Sequence, residues 1–234
     1  MMRHKRVVVT ALVLPLFVSL VALAGDVKRP ARPAVDQALD AKREAALGRL
    51  KSLSVKEAFA ELKNGELPAD KRFPGKGVSA AFGHRKKEAI ELSIKNIRQP
   101  ALKMKNGKLV SRSRDFHLAK KVLHAFPEES FNSIMTLYGR TGPVTKANMI
   151  RVLGGMPGGK KVETVLIEAL DDKMFCQEEH PEMVGEPLRI CDMAYSQLVL
   201  RCKVKGVLRT IGTGHKLEVR NYHIDVLKGL LLKS

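Results

Sequence analysis

Few stretches of this chain hold residue types at a spacing that could do chemistry. Gly154–Lys161, G-G-M-P-G-G-K-K, has the G-x-x-x-x-G-K spacing of a loop that cradles phosphate with backbone N–H groups and a lysine. Such a loop needs Ser or Thr after the lysine to hold magnesium, and Lys161 stands there instead. The K-A-N-M-I-R-V-L before it has helical rather than strand character, so the glycines read as a tight reversal between two helices. Cys176, His180, Cys191 and Cys202 could be gathered as zinc ligands. Structural zinc, however, wants close pairs such as C-x-x-C, and intervals of three and ten residues are not that pattern. His215 and His223 lie eight apart and could share a face of a last helix, where they read as core or surface histidines. Asp171, Asp172, Glu178, Glu179, Glu182 and Glu186, against Lys173, put −5 into 16 residues without the D-x-D-x-D-G spacing of a calcium loop. Arg189 and Asp192, three apart, are expected to pair with each other or to cap neighbouring turns. No G-x-S-x-G or H-E-x-x-H motif is present, and scattered Ser, His and acidic residues do not make a triad. The expectation is no enzyme: no catalytic residue, no cofactor and no metal site.

Charge gives the sharper candidate. Lys71–Lys121 contains 15 Lys and Arg against 3 Asp and Glu, hence +12 in 51 residues of a 234-residue chain whose net charge is +18. Charge concentrated in this way raises the local concentration of anions and favours anionic partners through counterion release. Arg85, Lys86, Lys87, Lys103, Lys105, Lys108, Arg112 and Arg114 are the residues expected to carry it. An anionic envelope polymer or lipid headgroups are the partners this implies; the alternative is a solvated face with no dedicated partner. With 5% aromatic residues and no Trp, stacking on nucleic-acid bases is disfavoured.

The elements that must position these residues begin after a leader. Arg3, Lys5 and Arg6 precede an apolar run from Val7 to Ala24, closed by Ala22-Leu23-Ala24. This is the pattern of a signal peptide over 1–24, cleaved after Ala24, and it implies export to a periplasmic or extracellular setting. An uncleaved membrane anchor is the other reading, since 18 residues reach the lower edge of a span. Three cysteines allow at most one internal bridge. Cys191 and Cys202 on one helix would be roughly 16 Å apart, too far to join. Cys176 could partner either, although Cys191 reads more simply as a small buried hydrophobe with no bridge.

Residues 25–34 form a Pro- and Arg-rich tether, and 35–114 a basic helical region. Val35–Leu53 carries Val35, Leu39, Ala46, Leu47 and Leu50 at helical spacing. Ser54 and Glu57 form a capping box opening Val55–Lys63, and Glu66–Phe82 reads as loop from its prolines and glycines. A helix over His84–Ile97 buries Ala89, Ile90, Ile94 and Ile97. Over 101–110, L-K-M-K-N-G-K-L-V alternates apolar and basic residues about Asn106-Gly107, which predicts a short hairpin or extended loop.

From 115 to 234 the pattern is helical and repeats. Ala119 precedes Leu123 by four, Met149 precedes Leu153 by four, and Ala194 precedes Leu198 by four, at offsets of 30 and then 45 residues. A second helix follows each first one, over Glu128–Tyr138, Lys160–Leu170 and Lys216–Leu232; the last is expected to bury Val219, Ile224, Leu227 and Leu230. Helix pairs repeated at this period bury their apolar faces by stacking on one another. V-L-G-G-M-P-G-G-K-K-V-E-T-V-L-I-E-A-L-D-D, Val152–Asp172, resembles the short HEAT-like repeat of the phycobilisome-lyase type, and P-L-R-I-C-D-M-A-Y-S-Q-L, Pro187–Leu198, resembles the first helix of a following unit. The resemblance implies an all-α fold, an α-solenoid of antiparallel helix pairs, and a protein partner held on the repeat surface; it does not imply lyase activity. The acidic insertion and Arg201–His215 break the regular spacing.

Overall fold

A computed structural model describes residues 34–64, 76–99, 102–105, 108–112, 114–176 and 185–231. The leader and tether, the Asn106-Gly107 turn and the middle of the acidic insertion lie outside the described residues, as do the side chains of 101–113. The chain divides into two units, Met1–Ala38 and Leu39–Ser234. Among the described residues no helix is long and apolar enough to cross a membrane.

The fold is all-α in class. Among its described side chains, helix α1 (Ala34–Ser52) engages the core through its last turns: Leu50 is buried and Leu47 packs beside it, whereas Leu39, expected on the same apolar face, is exposed. Helix α2 (Val55–Asn64) opens on the expected capping box, with Ser54 N–H donating to Glu57 Oε2 at 2.8 Å and Glu57 N–H donating to Ser54 Oγ at 3.3 Å. The Ser54 hydroxyl and N–H hold the Glu57 carboxyl below its ordinary value.

The loop expected through Phe82 ends earlier, because Lys76–Phe82 is helical and becomes α3. Val78, Ala81 and Phe82 fall at i, i+3 and i+4, and all are buried, with the Phe82 ring 5.2 Å from that of Phe59 on α2. Packing outweighs the helix-weakening Gly77 here. A 3-10 turn, Gly83–Arg85, leads into α4 (Lys86–Ile97), which starts two residues later than expected and buries Ala89, Ile90, Ile94 and Ile97. Two short strands, β1 (Leu102–Lys105) and β2 (Lys108–Arg112), pair antiparallel with an irregularity between Lys103 and Met104.

Six helices follow: α5 (Arg114–Ala125), α6 (Pro127–Tyr138), α7 (Pro143–Gly154), α8 (Gly159–Glu168), α9 (Ile190–Cys202) and α10 (Leu217–Leu231). Pro127 and Pro143 open α6 and α7 at the position where a missing N–H costs nothing. The closest partnerships are α4 with α5 and α7 with α9, and α10 rests on α9. Ala119, Leu123, Met149, Leu153, Ala194 and Leu198 are each 0% exposed, so the positions that recur in the sequence all lie at the centre of the core. Helix α9 starts at Ile190 rather than near Pro187, because Phe175 and Arg189 form an isolated antiparallel bridge just before it.

Two polar contacts tie α7 to the elements before it. Asn148 on α7 is buried and donates to the carbonyls of Ile97 (2.9 Å) and Gln99 (3.0 Å), which close α4. His124 on α5 lies 2.7 Å from the carbonyl of Val152 in the last turn of α7. Burial lowers its pKa below the ordinary value and the charge of Lys120 adds to this, against the opposing effect of the Val152 bond.

Candidate functional site

Of the eight basic residues expected to act together, four have described side chains, Arg85, Lys86, Lys87 and Arg114. Arg85 donates through Nη2 to the carbonyl of Lys51 at 3.2 Å, and through Nε to His84 Nε2 at 3.1 Å. Lys86 pairs with Glu129 on α6, which lowers the Glu129 carboxyl below its ordinary value. Lys87 is exposed on α4, beside Glu88 and near Glu91. Arg114 reaches the carbonyl of Lys63 at 3.5 Å, at the start of α5. Lys103, Lys105, Lys108 and Arg112 lie on the paired strands, where Lys103 stands opposite Ser111, Lys105 opposite Lys108 and Leu102 opposite Arg112. Of the segment's cations, Arg85, Lys86 and Arg114 are thus engaged by neighbouring groups on the helices, Lys87 is exposed, and four more belong to the strand pair.

The glycine-rich stretch Gly154–Lys161 is a turn whose glycines serve packing and backbone geometry. A Cβ on Gly154 would lie 2.1 Å from Gln197 Oε1 and 2.6 Å from its Cγ, so this glycine permits the close approach of α9 to α7. Gly158 and Gly159 adopt φ of 152° and 51°, the region that favours glycine, and reverse the chain into α8. Arg201 on α9 braces the turn, donating to the carbonyl of Met156 at 2.7 Å and pairing with Glu163 at 3.2 Å. The stretch also follows a helix rather than a strand, as its sequence implied.

The cysteines are free thiols, and burial pushes Cys176 and Cys191 up to about 11, which makes them poor nucleophiles near neutral pH. Among the described residues no three His, Cys, Asp or Glu side chains gather closely enough to hold a metal ion. His180 lies outside the described residues. His215 precedes α10 instead of sharing its face with His223, and its Nδ1 accepts the Gly212 N–H at 3.3 Å. On α6 and α7, Tyr138 and Lys146 meet Asp172: Lys146 pairs with Asp172 at 3.0 Å and lies 5.5 Å from the Tyr138 ring centre. Burial first, then the charges of Asp172 and Glu168, pushes the Tyr138 hydroxyl up to about 12.

The most concentrated polar site was only half visible in the sequence. Arg189 and Asp192 do pair, at 2.8 Å, with Arg189 standing just before α9 as its N-cap. Arg220 on α10, which carried no expectation, joins them: its Nη1 is 3.0 Å from Asp192 Oδ2, and both side chains are 0% exposed. Arg220 also donates to the carbonyls of Glu186 (2.7 Å), Pro187 (2.9 Å) and His215 (2.8 Å). One guanidinium thus fastens the end of the acidic insertion and the segment before α10 onto the start of α9. Gly185 lies in the same knot with φ of 95°, where a Cβ would meet the Thr213 carbonyl oxygen at 2.0 Å. The trace of Arg220 in the sequence is its phase, four residues before the buried Ile224 and seven before the buried Leu227. A charged residue in that phase reads as an interruption of the apolar face until its partners are seen.

The opposite face of α10 exposes apolar side chains. Val219 and Leu230, expected in the core, are each 40% exposed, and Tyr222 is 65% exposed. With the half-buried Val226 they recur at i, i+3, i+7 and i+11, one stripe along the helix. Glu218 and Asp225, seven apart and exposed, run along one margin of it. The chain matches no family model, and the comparisons with curated proteins and solved structures found no match.

Proposed function

We propose that this chain is an exported, non-catalytic scaffold that binds a protein partner through the faces of an α-solenoid, with α5–α6, α7–α8 and α9–α10 as HEAT-like pairs. The observation that carries the reading is the burial of the three equivalent residue pairs, Ala119 with Leu123, Met149 with Leu153 and Ala194 with Leu198, each on the first helix of its pair. A core assembled from equivalent positions on successive helices leaves the outer faces free to hold a partner. Thiols held in the protonated form and a glycine turn committed to packing fit a role without catalysis. The test places a photo-crosslinking residue at Ile167, which is 40% exposed on α8, in the full chain in the cells that make it. A discrete protein adduct that persists at high salt is the expected result. The absence of an adduct at Ile167 and at every other exposed helical position would remove the reading.

One feature of the strand pair favours a second role, electrostatic binding of an anionic envelope polymer or membrane surface through 71–121. Lys105 stands directly opposite Lys108, a like-charge juxtaposition that is unfavourable in isolation and relieved by a bound anion. Retention on anionic vesicles that falls steeply with salt, and is lost on changing Lys103, Lys105 and Lys108 to Glu, is the outcome this role requires.

A further inference from the structure

On the reading that this is a partner-binding scaffold, we infer that the outer face of α10 is its docking site for a cationic amphipathic segment of another protein. Four observations place the site there. First, Val219, Tyr222 and Leu230 form an exposed stripe with Val226 on a helix whose other face already packs on α9 through Ile224 and Leu227. From Val219 to Leu230 the stripe runs about 16 Å at the helical rise, three turns of matching length for a short segment. Second, Tyr222 is 65% exposed, and an aromatic side chain offers about 150–250 Å² in all, so this residue alone supplies the largest apolar contact on the stripe. Exposed aromatics of this kind act as anchors in interfaces.

Third, the charge of the face is opposite to that of the chain. Glu218 and Asp225 lie along one margin of the stripe, and Lys228, half-buried three residues beyond Asp225, is already paired with Asp171, so the acids of this margin outnumber its uncommitted cations in a protein with 42 Lys and Arg against 24 Asp and Glu. Electrostatic complementarity therefore selects a segment with Lys or Arg beside its apolar residues and repels an anionic membrane surface. Fourth, the patch is small. A standard interface buries about 800 Å² on each partner, more than one three-turn stripe offers, so the occupant is a single segment and not a second globular copy. An amphipathic helix laid against an apolar face is a recurring mode of this size.

The test titrates the full chain with a synthetic helical peptide of Leu, Ala and Lys carrying one apolar face, and with its counterpart in which every Lys is Glu. The cationic peptide is expected to bind, the acidic one to bind at least tenfold more weakly. Tyr222→Ala, and separately Glu218→Lys with Asp225→Lys, are each expected to weaken the cationic peptide at least tenfold. Because all three positions are exposed, the variants are expected to keep the wild-type melting temperature and helical circular dichroism. Equal binding of the two peptides, or unchanged binding by Tyr222→Ala, would overturn the inference. So would self-association of the full chain that Tyr222→Ala abolishes, since it would make the occupant a second copy. The photo-crosslinking residue at position 222 separates this from the broader reading. An adduct at Ile167 without one at 222 sinks the α10 site and leaves the scaffold standing; no adduct at any position removes both.

Discussion

Around α2, α4 and α5, ion pairs sit in water: the side chains of Lys63 and Asp115 are 39% and 35% exposed, and Lys86 and Glu129 are similarly open. Around α9 and α10, Arg189, Asp192 and Arg220 are 5% exposed or less. The basic region thus displays its charge pairs, while the C-terminal pair encloses the Arg189–Asp192–Arg220 set and turns outward an apolar stripe with acids along one margin. The difference is one of solvent. An exposed pair gives up little hydration and gains little attraction, so it leaves its region free to exchange partners. A buried guanidinium has lost its water and must be satisfied by protein, which Arg220 achieves with one carboxylate and a set of backbone carbonyls. Burial converts the same residue types from a display surface into a fastener.

Removing the fastener should have the largest effect. Arg220→Ala leaves Asp192 sharing its charge with Arg189 alone and orphans the carbonyls of Glu186, Pro187 and His215; a loss of about 3–5 kcal/mol in denaturant unfolding is expected. A loss under 1 kcal/mol would show that the two regions do not differ in the way described. Asn148→Ala should follow, at about 1–3 kcal/mol, because it strips donors from the buried end of α4. Amide exchange faster at Ile97 to Gln99 than in α9 would localise that loss to the junction.

The His124 contact predicts a pH dependence with a definite sign. Its folded pKa lies below the ordinary 6.5, so the unfolded chain takes up the proton first as pH falls. The neutral imidazole's contribution is present above pH 6.5, erodes as pH falls below that value, and levels off below the folded pKa. Melting temperatures from pH 7.5 to 5 should fall less steeply for His124→Gln than for the wild type; parallel curves would refute the assignment. The smallest effect belongs to the display surface. Lys86→Ala should change stability by no more than about 1 kcal/mol, and the change should shrink further in 1 M salt.

Legibility in the sequence followed the range of the interactions. The Ser54–Glu57 capping box was readable because both its arms lie within four residues. The buried faces of α4, α7 and α9 were readable because their periodicity is local, and the six recurring core positions were all found in the interior. Helix α3 was misread as loop because Pro74, Gly75 and Gly77 dominate its local signal, while Phe82 is held by Phe59 from another helix. Of the candidate binding residues, Arg85 and Lys86 are half-buried, and their engagement by Lys51 and Glu129 depends on residues 34 and 43 positions away.

By itself, then, the sequence determined an all-α fold class, the approximate helices, the glycine turn and the uneven distribution of charge, because each depends on neighbours within a turn or two. Tertiary structure alone decided which apolar faces have a neighbour and which charges lose their water. Val219, Leu230 and Leu39 have the same local pattern as Ile224, Leu227 and Leu50, yet the first three are exposed and the others buried. Arg220 reads like any helical arginine until Asp192, 28 residues away, meets it in the interior. Periodicity states that a face exists; only packing states what covers it, since burial is a property of pairs of elements and not of one.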